Sequence, residues 1–115
     1  MNTKKTESST IWIPHDVNEQ IHIESFFSFF ETHYDNGYNF PGETHNFWEC
    51  VYVLDGSICV SGDERVYNLS KDEIIFHKPL ELHKFYVNGD AGATLLIFSF
   101  SLTGTLAEAL KNMVF

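Results

Sequence analysis

Residues Gly37–Gly56, GYNFPGETHNFWECVYVLDG, decide how the rest of this chain reads. Within the stretch, Glu43, His45 and Glu49 are separated by even steps, so an extended backbone points all three to the same side. Phe47–Leu54 follows as a strongly strand-forming run, then Asp55-Gly56 and the shorter run Ser57–Ser61. Two such runs joined by Asp-Gly predict a β-hairpin with a two-residue turn. One face of it carries Phe47, Glu49, Val51, Val53, Ile58 and Val60. The other carries Trp48, Cys50, Tyr52, Leu54, Ser57, Cys59 and Ser61. Glu49 is the only charge on the more aliphatic face, where an unpaired carboxylate is costly, so it needs a partner. His83, in a later strand-like segment, is the best candidate to answer it.

Outward from this stretch the pattern stays extended. Ile21–Tyr34, IHIESFFSFFETHY, has aromatics on both alternating faces and predicts a strand covered on both sides. Asp35-Asn36-Gly37 and Pro41-Gly42 are turn signals. Downstream, Arg65–Leu69, Ile74–His77, Leu82–Val87 and Ala93–Phe100 read as strands between turns at Gly62-Asp63, Lys71-Asp72, Pro79 and Asn88–Gly92. About eight short strands with regularly spaced turns predict an all-β chain, an antiparallel sandwich or barrel. After them the period changes. Leu102, Leu106, Leu110 and Met113 fall on one stripe of a short helix over Thr103–Met113, with Thr103 or Thr105 as its cap. The expected layout is a flexible arm over 1–20, in which Ser9–Ile13 could add a strand, a barrel over 21–101 and the start of a helix over 102–115.

A chain of 115 residues, 43% hydrophobic with eleven phenylalanines, suits one domain with a real core. The formal charge of −9 argues against unaided nucleic-acid binding and against anionic membrane surfaces. MNTKKTESST has no apolar signal-peptide core, and no apolar run approaches the roughly 20 residues a membrane span requires. The expected compartment is therefore the cytoplasm, with Cys50 and Cys59 as free thiols. In the predicted hairpin these two lie diagonally, a poor geometry for a disulfide. Trp48 and Tyr52 read as core or interface, and His15, His22, His33 and His77 as surface or ordinary strand residues.

Gly37, His45, Glu49 and Gly56 resemble the first cupin motif, G-x5-H-x-H-x3/4-E-x6-G, with Glu43 in the place of its first histidine. Pro79-Leu80-Glu81-Leu82-His83 resembles the second, with Asp72 near its leading Gly-Asp. The succession FPGETHNFWECVYVLDG, DEIIFHKPLELHKF and LLIFSF is similar to the N-terminal sensing domain of AraC-type transcription regulators, over residues 21–113. That resemblance implies a cupin-like antiparallel β-barrel followed by helix used in dimerisation. It implies a small effector, often a sugar, bound inside the barrel. DNA would be bound only by a C-terminal helix-turn-helix part that these residues do not contain.

The function so implied is a non-enzymatic sensing and dimerisation domain, with a small-molecule effector and a second copy as partners, and no membrane. Glu43, His45, Glu49 and His83 are its expected ligand-binding groups, Phe47, Val51, Phe85 and Phe98 the apolar walls, and Leu106, Leu110 and Met113 the dimerisation stripe. No cofactor is expected. The alternative is a small metal-dependent cupin enzyme, a dioxygenase or isomerase, in which Glu43, His45, Glu49 and His83 would hold Mn, Fe, Ni or Zn. Three departures weaken the metal motif: Glu43 for a histidine, Lys71 for the glycine before Asp72, and Pro79 one residue closer to His83.

Overall fold

The computed structural model describes residues 12–14, 21–104, 110 and 114–115. Seven antiparallel strands carry them: β1 (His22–Tyr34), β2 (Asn39–Glu43), β3 (Trp48–Gly62), β4 (Arg65–Ser70), β5 (Ile74–His77), β6 (His83–Val87) and β7 (Ala93–Thr103). One curled layer has the order β1-β7-β3-β5, the other β2-β6-β3-β4, and β3 belongs to both. The expected all-β cupin-like barrel is the fold observed.

The hairpin expected at Asp55-Gly56 does not form. β3 runs straight through these residues, so the two strands expected on either side of the turn are one. Its first half pairs with β5 and β7, its second with β4 and β6, so the two halves face different neighbours rather than each other. A register shift between Val53 and Asp55, with φ +83° at Gly56, marks a bulge that changes which side of the strand faces inward. Val51 and Val53 before it, and Ile58 and Val60 after it, therefore share the inner core, as the two-face pattern required. The two-residue hairpin turn lies instead at Asp63-Glu64, between the paired Gly62 and Arg65. Both turn residues have positive φ, the twist such turns need.

Other expectations also shift. Pro41-Gly42 lies inside β2 at an irregularity rather than in a turn. β1 is a strand but is not covered on both sides: Phe26 and Phe29 remain 61% and 66% exposed. β7 runs to Thr103, past the expected barrel end at 101, and takes Leu102 and Thr103 out of the expected helix. No α-helix is seen among the described residues, and most of the stretch expected to form one, Leu106 and Met113 included, lies outside them. The expected arm also lies outside them, save Trp12–Pro14, which form no strand.

Two apolar clusters hold the layers. The inner one joins Val51, Val53, Ile58, Val60, Leu69, Ile75 and Leu95 across both layers. Each side chain of this kind contributes about 1.5–3 kcal/mol when fully buried. The outer one, Trp48, Cys50, Phe100 and Leu102, lies on the opposite face of β3 and β7, with Leu110 packed against it. Phe115 exchanges two backbone hydrogen bonds of 2.9 Å with Ile74, which ties the end of the chain to β5.

Candidate functional site

Four side chains from four places in the sequence converge at one end of the inner layer space. β2 ends on Glu43, paired with His83 at the start of β6. His45 lies in the connection to β3, and Glu49 near the start of β3. His45 Nε2 stands 3.3 Å from Glu43 Oε2 and 3.3 Å from Glu49 Oε1. His83 Nε2 stands 3.3 Å from Glu49 Oε2 and 3.6 Å from Glu43 Oε2. The partner expected for Glu49 is thus in place. Glu43, with its side chain 41% exposed, is the outermost member, and His83, at 4%, the deepest.

Both imidazoles are held by their other nitrogen. His45 Nδ1 donates to the Phe47 carbonyl and His83 Nδ1 to the Glu81 carbonyl, each at 3.0 Å. A carbonyl oxygen can only accept, so Nδ1 carries the proton and the neutral ring turns an Nε2 lone pair toward the carboxylates. Neither buried Nε2 has a hydrogen-bond partner, since an unprotonated Nε2 and a carboxylate are both acceptors. Burial pushes the Glu49 carboxyl up, yet its contact with His83, and the charges of His83, His45 and His77, hold it below its ordinary value. Burial lowers His83, and the Glu49 carboxylate more than offsets this, leaving the imidazole raised.

The geometry also fits a divalent ion. Four donor atoms about 2.1 Å from a tetrahedral centre lie about 3.4 Å apart; the N···O separations here are 3.3–3.6 Å, with Glu49 turning Oε1 to His45 and Oε2 to His83. The four candidate ligand atoms all fall within 4.8 Å of one another. Two imidazoles anchored through Nδ1 to carbonyl oxygens have the outer hydrogen bonding that orients metal-bound histidines. The same atoms can therefore serve as an ion-paired cluster when His83 is protonated, or as a ligand set when it is not.

Two participants were not foreseen. His77, expected as an ordinary strand residue, is fully buried and stacks on His83 with ring centroids 4.4 Å apart. Its Nδ1 donates to Glu81 Oε2 at 2.9 Å, and Lys78 N–H donates to Glu81 Oε1. Glu81 thus braces both histidines, one by its carboxylate and one by its carbonyl. Leu80 N–H, from a residue with φ +65°, donates to the His45 carbonyl. His77 is the β5 residue opposite Glu49, a pairing that spacing along the chain does not reveal. The i,i+4 step from His77 to Glu81 was the available signal.

The expected walls divide. Phe47 stacks on His45 at 4.0 Å and meets Phe27 at 4.7 Å, beside the cluster. Val51 and Phe85 belong to the inner core, Phe85 lying against Tyr34, Tyr38 and Phe40. Phe98 is not an inner wall: alternation along β7 sends it to the outer face, against Phe29 and Phe100.

A family model described as "AraC-like ligand binding domain" matches residues 28–112. No curated protein sequence matches the chain. Among solved structures, the Cnp3 cupin domain of Schizosaccharomyces pombe aligns with a TM-score of 0.62 at 16% identity, covering 74% of this chain and 64% of that one. An RmlC-like cupin from Shewanella frigidimarina NCIMB 400 aligns with a TM-score of 0.58 at 19% identity, covering 63% of each chain. A single-residue variant of the oxalate decarboxylase of Bacillus subtilis gives 0.57 at 17% identity, covering 72% of this chain and 22% of that one. These likenesses show the fold, and this chain spans less than two thirds of the length of each of the three.

Proposed function

The chain belongs to the AraC-like ligand-binding domains, and from that premise we propose that it is a non-enzymatic sensor of a small polar molecule, with sugars the first class to test. In this reading Glu43, His45, Glu49 and His83 hold the ligand by hydrogen bonds, Phe47 packs against its apolar side, and Val51 and Phe85 back the site. The domain works in the cytoplasm as a homodimer, with Leu106, Leu110 and Met113 at the contact, and reaches DNA only through an attached domain. Ligand binding shifts that domain by favouring one arrangement of the pair. The observation that carries the reading is the pair of buried Nε2 atoms without hydrogen-bond partners, set between two carboxylates that accept hydrogen bonds. A polar ligand supplies the missing partners.

A thermal-shift panel of monosaccharides, polyols and small hydroxy acids tests this on the intact chain. At least one compound is expected to raise Tm, and His45→Ala and His83→Ala are each expected to weaken it about ten-fold, the cost of roughly one buried hydrogen bond. Unchanged affinity in both variants would overturn the placement.

The gathering of four ligand-type atoms within 4.8 Å of one another favours a second reading, a small metal-dependent cupin enzyme of the dioxygenase or isomerase kind. A divalent ion there would supply Lewis-acid or redox chemistry, while the protein's part is to hold it by the four side chains and orient a substrate along Phe47. Elemental analysis separates the two. Stoichiometric Mn, Fe, Ni or Zn that disappears in both alanine variants supports the enzyme; metal-free protein that still binds a panel compound supports the sensor.

A further inference from the structure

The β2-β6-β3-β4 layer carries one positive charge that the site described above leaves unused. Alternation along β4 turns Arg65, Tyr67 and Leu69 inward, and Tyr67 and Leu69 pack in the inner core. Arg65 pairs with Gly62, and Gly62 pairs on its other side with His83, itself paired with Glu43. One rung of this layer thus runs Glu43, His83, Gly62, Arg65, with its side chains on one face. Gly62 has none, so no side chain of the rung stands between the imidazole and the guanidinium. Two strand spacings, about 10 Å, separate their Cα atoms.

Arg65 is the only arginine in a chain with sixteen acidic residues. Even so, among the described residues no carboxylate pairs with its exposed side chain. The Tyr67 hydroxyl, next along this face, is buried and has no hydrogen-bond partner. Arg65 stands near enough for Tyr67 to raise its guanidinium. An unmatched buried hydroxyl is costly and calls for a partner. Guanidinium and hydroxyl together suit a carboxylate: the planar fork donates two parallel hydrogen bonds and the hydroxyl a third. The other end of the rung has the opposite chemistry. Glu43 and Glu49 repel an anion, and the Nε2 lone pairs of His45 and His83 accept from hydroxyl groups.

Resting on the sensor reading above, we propose that Arg65 and Tyr67 bind the carboxylate of the ligand, and that the ligand is a sugar acid. It lies across Gly62 with its hydroxyls at His45 and His83. An α-amino acid carries its ammonium and carboxylate on one carbon and cannot reach both ends. A neutral sugar leaves the guanidinium without an anion, and a dicarboxylate brings a second charge against Glu43 and Glu49.

In a proton–nitrogen correlation spectrum the intact chain gives a single arginine Nε–H signal, so the subsite has its own reporter. Titration with D-gluconate or D-galacturonate is expected to move this signal saturably, together with the imidazole signals of His45 and His83. D-glucitol and D-galactose are expected to move the imidazole signals alone, at about ten-fold lower affinity, the scale of a charge-assisted hydrogen bond. Arg65→Gln, a change at an exposed position, is expected to bring the acids down to the affinity of the neutral compounds by calorimetry and to leave the neutral compounds unchanged. Tyr67→Phe is expected to weaken the acids alone. Acids and neutral compounds bound equally, or an arginine signal that stays still while an acid binds, would overturn this assignment and leave the sensor standing. Failure of both acids to bind overturns it as well, and failure of the whole ligand panel overturns the sensor reading with it.

Discussion

Glu49 decides the electrostatics of the barrel, because it places a carboxylate where the strand pattern otherwise puts hydrocarbon. Its need for a partner was legible in the sequence for that reason, and so was His83. The brace behind them was not: His77 reaches the cluster through the β3–β5 register and through Glu81, neither of which residue spacing encodes. The pair also predicts how stability follows pH. His83 is raised above its ordinary 6.5, so its contribution is complete below that pH and is lost as pH rises through the raised value. Glu49 is lowered below its ordinary 4.5, so its contribution is complete above that pH and is lost as pH falls through the lowered value. Tm measured from pH 3 to 9 is expected to be highest between these limits. In His83→Gln the decline above pH 6.5 should flatten; an unchanged alkaline slope would assign it to another group.

At the level of the element, β3 shows what a sequence pattern can and cannot carry. Its inward and outward residues were readable, because a switch of face at Asp55-Gly56 follows equally from a two-residue turn and from a bulge. Which of the two occurs depends on partners far away in the chain: β5 and β7 for one half, β4 and β6 for the other. The aromatic faces of β1 misled in a similar way, since strand formation follows from local propensity and covering does not. Gly56 has φ +83°, and a Cβ there would run into the Gly92 carbonyl oxygen. Gly56→Ala is therefore expected to cost about 2–4 kcal/mol through backbone strain and overpacking together. Urea unfolding monitored by tryptophan fluorescence measures it, and a loss under about 0.5 kcal/mol, typical of an ordinary surface change, would show that the crossing is loose.

Over the whole molecule the two thiols sit on different sides of this arrangement. Cys50 is fully buried in the outer cluster, and burial pushes its thiol up, far from the reactive thiolate. Cys59, on the other half of β3, is half-buried. An aromatic disulfide reagent is expected to titrate one thiol in the native protein and the second only as the chain unfolds. Two fast equivalents would mean that the Trp48–Phe100 face opens locally. That face matters because β3 is continuous backbone through both layers. Two sheets joined only by loops can part like the covers of a book, leaving each one intact. Here the spine is a single strand, so neither cover can lift away without breaking hydrogen bonds in the other. Denaturation followed at the layer of Glu49 and at the layer of Cys59 should consequently trace one and the same curve.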